Sequence, residues 1–224
     1  MSTTDLANIT LAKGSHADDG ECNDPERCFW EWYNWLGRQQ HTDSLPPGVS
    51  EVLWSYGMKL NDILPDDRRQ ELKRFLPNGT DRLAGTADDG KDETRGYIAL
   101  DWLIRTWTPA WLDLAGLTAE ATALRDLRRI ADLVAARSAG PVVRDASSKA
   151  AAARDAAWAA AGAAAGAAAG AAAWDAAWAA AGAAAGAAAR DAADKKLAPT
   201  VAELQASAIA LYDVLITGEW PAAA

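Results

Sequence analysis

The sequence contains very few residues of the types that perform nucleophilic or metal chemistry. Among 224 residues there are two Cys and two His. Two cysteines are too few for a disulfide-stabilised scaffold. Residues 1–16 also lack the basic segment followed by an apolar core that marks a signal peptide, so no such peptide is expected.

The chain also lacks a concentrated basic region. Its formal net charge is −9 and its pI is near 4.7. Residues 1–50 carry eight acids and three bases, whereas residues 101–150 carry six acids and seven bases. Because phosphate binding needs clustered Lys and Arg, direct nucleic-acid binding is disfavoured. The acidic N-terminal region fits a contact with a basic partner, mimicry of a nucleic acid, or a solvated face that aids solubility.

Apolar residues recur at helical spacing along most of the chain, which predicts an all-α fold. Pro, Gly and capping residues divide this pattern into helices. The predicted helices span residues 25–37, 50–60, 65–76, 93–107, 109–116, 118–137 and 199–218. We expect them to form a compact helical body, with breaks at Gly140-Pro141 and at Pro199.

The apolar positions of these helices are expected to face the core. In the fourth helix they include Leu103 and Trp107, and at the end of the sixth they include Leu133 and Val134. The aromatic residues of the first helix, such as Phe29, are interpreted as core residues in the same way.

Residues 151–190 form an alanine-rich array. All but 12 positions are Ala, and ten of those 12 are Trp, Gly or Arg recurring at every fourth residue. Alanine has the highest helix propensity, so residues 150–197 are predicted to form a long helix or a helical hairpin. A four-residue period advances by about 40° per step on an α-helix, which excludes a regular heptad coiled coil.

A membrane-spanning role for the array is disfavoured. Residues 156–174 carry no charge and have the length of a membrane span, but they contain no Leu, Ile, Val or Phe to drive insertion.

Two interpretations of the array stay open. Close-packed alanine helices favour an arm that binds a partner protein or a second copy, whereas exchange among Trp, Arg and Gly is typical of repeat expansion at the DNA level.

All four Cys and His residues, namely His16, Cys22, Cys28 and His41, fall within 26 residues. Four such ligands suit tetrahedral zinc, so zinc is the one cofactor that the sequence suggests, although their spacing matches no zinc-finger pattern.

The alternative to a zinc site is a thiol nucleophile. Cys28 lies in the first turn of its predicted helix, where the helix dipole lowers a thiol pKa; His41 would be its base and Asp43 the orienting carboxylate. A third possibility is that Cys28 is a small buried apolar residue.

Several segments resemble a family of uncharacterised proteins from actinobacteria and their bacteriophages. They are C-x-x-E at Cys28 and Glu31, L-G at Leu36, H-T-D at His41, and the stretches LPDDRRQELKRFLP and DWLIRTWTPAWLDLAGL. Members of this family also have a variable tail rich in Ala, Trp, Arg and Asp. The resemblance implies a bacterial or phage protein in the cytoplasm of a bacterial host, and it implies no particular activity.

The sequence therefore predicts three parts: a helical body with the Cys/His segment (residues 1–140), an alanine-rich arm (141–198) and a C-terminal helix packed on the body (199–224). The absence of a complete catalytic motif favours a non-enzymatic protein–protein interaction protein, such as a phage accessory or host-modulating factor. The alternative is a thiol enzyme or zinc-binding protein that uses Cys28, Glu31, His41 and Asp43.

Overall fold

The structure, a computed structural model, describes residues 6–14, 26–37, 42–170 and 175–220, with the side chains of Ala7, Glu26 and residues 156–194 outside this description. The chain divides into two compact units. Unit 1 consists of residues 1–99 together with 205–224, and unit 2 consists of residues 100–204.

The predicted all-α fold is confirmed. The α-helices are α1 (Phe29–Leu36), α2 (Glu51–Ile63), α3 (Asp66–Arg69), α4 (Asp92–Trp102), α5 (Thr108–Leu114), α6 (Thr118–Arg125), α7 (Leu133–Gly170) and α8 (Asp175–Thr217). Two two-residue strands, β1 (Thr10–Leu11) and β2 (Glu26–Arg27), pair in parallel. Short 3-10 helices span Leu6–Asn8, Gln70–Phe75 and Thr86–Asp88, and a π-helix spans Leu103–Trp107.

An aromatic cluster forms the centre of unit 1. Phe29 and Trp30 of α1 are fully buried, with ring centroids 4.8 Å apart, and Tyr212 of α8 packs edge-on against Phe29 at 6.3 Å. Tyr56 of α2 stacks on Tyr212 at 5.6 Å. Such pairs stabilise a core beyond the area they bury. The cluster therefore joins the N-terminal segment of unit 1 to its C-terminal segment.

The polar atoms of these rings are satisfied by backbone carbonyls of neighbouring helices. Trp30 Nε1 donates to Trp54 O at 2.9 Å, and the Tyr212 hydroxyl donates to Leu53 O at 3.2 Å. The Tyr56 hydroxyl donates to Ala208 O at 2.9 Å. Burial of an unpaired polar group is costly, so these bonds make the aromatic packing possible.

Arg95 of α4 connects two distant parts of unit 1. Its side chain has no exposed surface, and its guanidinium donates to Asp89 Oδ2 at 2.5 Å and Asp92 Oδ1 at 2.9 Å. Arg95 Nε also donates to Leu215 O at 2.9 Å, in the last turn of α8. The carbonyls of a helix end lack partners within the helix, so Arg95 caps α8 while the two carboxylates balance its charge.

Unit 2 has a smaller core at the meeting of α5, α6 and α7. Its buried residues are Leu112, Ala121, Leu124 and Ala146. The carboxylate of Asp101 accepts a hydrogen bond from Ile130 N at 2.8 Å, which holds the segment between α6 and α7 against α4. Two of the four core residues are alanines, which bury less area than larger apolar residues.

Several predicted helix boundaries are wrong. The helix predicted from residue 25 begins at Phe29, because Glu26–Arg27 pairs with β1 as a strand. The helix predicted over residues 118–137 is divided into α6 and α7, because Asp132 caps a new helix by accepting from Ala135 N at 2.7 Å. A π-turn carries the chain into Thr108-Pro109, with Thr108 N donating to Leu103 O.

The two predicted proline breaks are also wrong. Pro141 lies inside α7 and Pro199 inside α8, so the expected boundaries of the arm at residues 140 and 198 fall within continuous helices. An interior proline removes one hydrogen bond and costs about 3 kcal/mol. Long helices tolerate this cost because propagation through good helix formers on both sides continues to add hydrogen bonds.

Four residues predicted to face the core are exposed instead. The exposed fractions are 44% for Leu103, 39% for Trp107, 52% for Leu133 and 74% for Val134. In α4 the buried positions are Arg95 and Ile98. Helical spacing alone did not identify this face because one of its two buried residues is a charged one.

One helix in the described part of the chain, Lys195–Thr217, is long and apolar enough to cross a membrane by length and composition. The same segment carries Ile209, Tyr212 and Leu215, which are buried in unit 1.

Gly57 of α2 is predicted to be irreplaceable for a packing reason. An added Cβ would lie 2.7 Å from the Tyr212 hydroxyl oxygen and 3.1 Å from Trp30 Cζ2. We expect Gly57→Ala to destabilise the protein by about 1–3 kcal/mol because the core cannot accept the methyl group. Chemical denaturation measures the change.

The matched control is Gly96→Ala in α4, where an added Cβ meets no atom within 4 Å. There the higher helix propensity of alanine should stabilise the protein by about 0.5–1 kcal/mol. Equal effects of the two substitutions would contradict the packing explanation.

The Asp89–Arg95 pair predicts a dependence of stability on pH. Hydrogen bonds from Arg95 hold the pKa of Asp89 below its ordinary value of 3.8. A lowered pKa in the folded state means that the contribution is complete above the pKa of the unfolded state and is lost as the pH falls through the folded-state pKa. The loss of unfolding free energy between neutral pH and about pH 3 should therefore be smaller in Asp89→Asn than in the parent protein.

Urea denaturation at the two pH values measures this difference. Asp88→Asn, an exposed neighbour, is the control and should keep the parent pH dependence. The same pH dependence in all three proteins would exclude Asp89 as a contributor.

Candidate functional site

The junction between β2 and α1 contains Cys28 and Glu31, the two residues of the C-x-x-E motif. Cys28 is the N-cap of α1, and its Sγ accepts a hydrogen bond from Glu31 N at 3.5 Å. Glu31 Oε2 in turn accepts from Cys28 N at 2.7 Å. These reciprocal bonds form a capping box, with Cys in the position usually held by Ser or Thr. The motif therefore starts the helix.

The same junction is fixed to its surroundings by Asn61 of α2. Asn61 Oδ1 accepts from Phe29 N at 3.2 Å, and its Nδ2 donates to Ala12 O at 3.0 Å. Asn61 has an exposed fraction of 1%, as does Glu31. The amide thus satisfies a free N–H in the first turn of α1 and a carbonyl at the end of β1.

Burial controls the chemistry of the Cys28 thiol. Only 5% of the residue is exposed, and this burial raises its pKa to about 12. The direction is opposite to the lowering that the helix dipole at a first-turn position predicts. A thiol acts as a nucleophile or metal ligand in its thiolate form, so this environment disfavours both uses.

The other residues of the two sequence-based site hypotheses are only partly placed. His16, Cys22 and His41 lie outside the described residues. Asp43 is half-buried, and its backbone carbonyl accepts from Trp54 Nε1 at 2.8 Å. Within the described part of the chain, no group of three or more His, Cys, Asp or Glu is arranged to hold a metal ion. The zinc site and the Cys28–His41–Asp43 arrangement stay predictions.

Two shallow depressions were not foreseen from the sequence. The one in unit 1 has a volume of about 500 Å³ and is lined by Glu51, Val52, Ser55, Tyr56 and Asp92. The Ser50 hydroxyl donates to Asp92 Oδ1 at 2.5 Å, so one of its two carboxylates is already bound within the protein. The lining residues offer carboxylates and hydroxyl groups but no cationic group.

The depression in unit 2 has a volume of about 310 Å³. It is lined by Ala110, Asp113, Leu114, Arg125, Lys196, Thr200 and Glu203. Arg125 donates to Asp113 Oδ2 at 2.5 Å, while Asp113 Oδ1 is buried without a hydrogen-bond partner among the described residues. The two acids and two bases come from three helices, α5, α6 and α8, so no single sequence motif contains them.

Comparison with known proteins adds no relative: no protein-family model, curated protein or solved structure matches the chain.

The structure predicts that the Cys28 thiol is unreactive in the folded protein. With a pKa of about 12, its thiolate fraction near pH 8 is lower than that of a free cysteine by about 1,000-fold. We expect native alkylation by iodoacetamide to be slower than alkylation in denaturant by at least a comparable factor. Peptide mass spectrometry resolves Cys28 from Cys22 and measures both rates.

Alkylation of the unfolded chain in denaturant is the internal control for intrinsic reactivity. A native rate at Cys28 close to the denatured rate would show an accessible thiolate and would revive the nucleophile hypothesis.

Proposed function

We propose that this chain is a helical protein–protein interaction protein whose alanine-rich segments contact a partner protein or a second copy. One observation carries the proposal: the described parts of the array, residues 151–170 and 175–190, belong to helices of 38 and 43 residues. Helices of globular proteins average about 11–12 residues, so these two are about three times longer than a core requires.

The composition of the array suits helix–helix contact. Small side chains allow helix backbones to approach closely, and Trp158, Trp174 and Trp178 are the large apolar residues within residues 151–190. Tryptophan is enriched at the points of interfaces that contribute most of the binding free energy. An alanine helix with widely spaced tryptophans thus offers a contact surface and little chemistry.

The described residues whose side chains could take part in a reaction support the same proposal, because their hydrogen bonds stabilise the fold. Cys28 and Glu31 cap α1, Arg69 donates to Asn61 O and Leu64 O at the end of α2, and Arg95 caps α8. The resemblance to actinobacterial and phage proteins suggests the setting, a phage accessory or host-modulating factor in the bacterial cytoplasm.

A shortened chain tests the array. Deleting residues 153–170 and 175–192 removes about five helical turns from each long helix, which keeps the angular relation of the flanking residues. We expect the full-length protein to show partner binding or a light-scattering mass above 23.6 kDa, and the shortened chain to lose it.

Near-ultraviolet circular dichroism is the control for folding. The aromatic cluster of unit 1 lies outside the deleted ranges, so its signal should be retained in the shortened chain. A second variant, with Trp158, Trp174 and Trp178 all changed to Ala, keeps the helix length and should weaken the contact. Identical masses and identical partner capture for all three proteins would contradict the proposal.

A further inference from the structure

The beginning of α7 exposes apolar and basic residues along one face. Leu133 and Val134 are 52% and 74% exposed, and Arg137 and Arg144 are exposed as well. At 100° per residue, Leu133, Arg137 and Arg144 fall within about 40° of one another, with Val134 about 60° beyond Arg137. We call these four residues the α7 strip.

This face is the one that unit 2 leaves uncovered. Ala139 and Ala146 are buried, and they lie roughly 180° around α7 from the centre of the strip. Val142 and Val143 pack partly buried against the unit 2 core, whereas Leu133 and Val134 at the start of the helix are turned to solvent.

The strip is basic in an acidic protein. Residues 127–144 contain four Arg and one acid, Asp132, whose Oδ1 is engaged as the helix cap by Ala135 N. The next acid on the helix, Asp145, is paired with Lys149 at 3.0 Å. The charge of the strip is thus opposite to the formal net charge of −9 of the whole chain.

A surface of the complementary kind lies at the end of α2. Ile63 is 58% exposed, and it is followed by exposed Asp66 and Asp67. Asp66 pairs through one oxygen with Arg69, yet its side chain is 93% exposed. Residues 59–71 contain four acids and three bases, and two of these bases, Arg68 and Arg69, pair with Glu71 and Asp66. We call Ile63, Asp66 and Asp67 the α2 knob.

We propose that the α7 strip of one copy of this chain docks on the α2 knob of a second copy. Leu133 and Val134 would cover Ile63, while Arg137 and Arg144 would face Asp66 and Asp67. The chain itself carries both an apolar–basic and an apolar–acidic surface, which is why a second copy is the occupant that the charges favour. This contact does not use the alanine array, so it goes beyond the proposed function and does not rest on it.

The size of the two surfaces sets the expected affinity between two copies of the chain. A few residues on each side bury less than the 1,200 Å² or so that stable interfaces require, so a single contact should be weak. Each copy offers one strip and one knob, so the contact joins copies head to tail. The association should therefore be visible at high protein concentration and should weaken as salt screens the exposed charges.

Sedimentation equilibrium of the full-length protein tests the proposal, from about 20 to about 500 µM. The average mass should rise above 23.6 kDa as the concentration increases. Val134→Asp should keep the protein monomeric over the whole range. Leu45→Asp, which places the same charge at a 43% exposed leucine of unit 1, should associate like the parent.

A charge exchange identifies the two surfaces directly. Arg137→Glu and Asp67→Arg should each weaken association by roughly tenfold, and the double variant should recover most of it. Recovery cannot come from a misfolded protein, so it guards against a folding defect in either single variant.

The results of these experiments distinguish the strip–knob contact from association through the alanine-rich array. Association that is lost in Val134→Asp but retained in the shortened chain supports the strip and excludes the array as the surface through which copies associate. Association that is lost only in the shortened chain, or a monomeric parent protein at every concentration, overturns the strip–knob contact.

Discussion

The guanidinium of Arg95 is the contact on which unit 1 depends. It lies without solvent exposure between the carboxylates of Asp89 and Asp92 and the last carbonyls of α8, more than 100 residues later in the chain. A buried cation is tolerable only when such partners surround it. Near this end of α8, Tyr212 enters the aromatic cluster of α1 and α2. The C-terminal helix is thus a central element of a unit built mainly from the N-terminal residues.

Side chains form hydrogen bonds with the free backbone groups at several helix ends in this protein. Cys28 and Glu31 cap the start of α1, Ser50 accepts from Leu53 N at the start of α2, and Arg69 covers carbonyls at its end. In each case a side chain satisfies backbone groups that a helix terminus leaves free. Short helices such as the eight-residue α1 are marginal on their own, so these caps and the aromatic packing make them persist. Cys28, the one cysteine among the described residues, serves as a helix cap.

The sequence predicted much of the fold, and the failures have identifiable causes. The helical class, the end of α1 at Gly37 and the end of α8 at Gly218 followed from periodicity and turn residues. Leu133 and Val134 were assigned to the core because spacing cannot tell which face of a helix is covered. Arg95 was overlooked because an arginine in a helix is usually on the surface. The proximity of Cys28 and Glu31 could be read from their spacing, whereas the burial that raises the pKa of Cys28 results from tertiary packing, which spacing does not reveal.

Unit 1 is interrupted in sequence by unit 2, and this order has a consequence for synthesis in the cell. The ribosome must translate the entire alanine array before Tyr212 and the α8 carbonyls that accept from Arg95 exist, so unit 1 completes its core only after residues 205–217 have been made. A reading-frame slip within the repeat would replace these residues with unrelated sequence. Such a chain would lack the residues that close unit 1, and it would be exposed to proteases. Only in-frame changes of repeat number preserve the C-terminal segment, so the fold itself selects which length variants of the array survive.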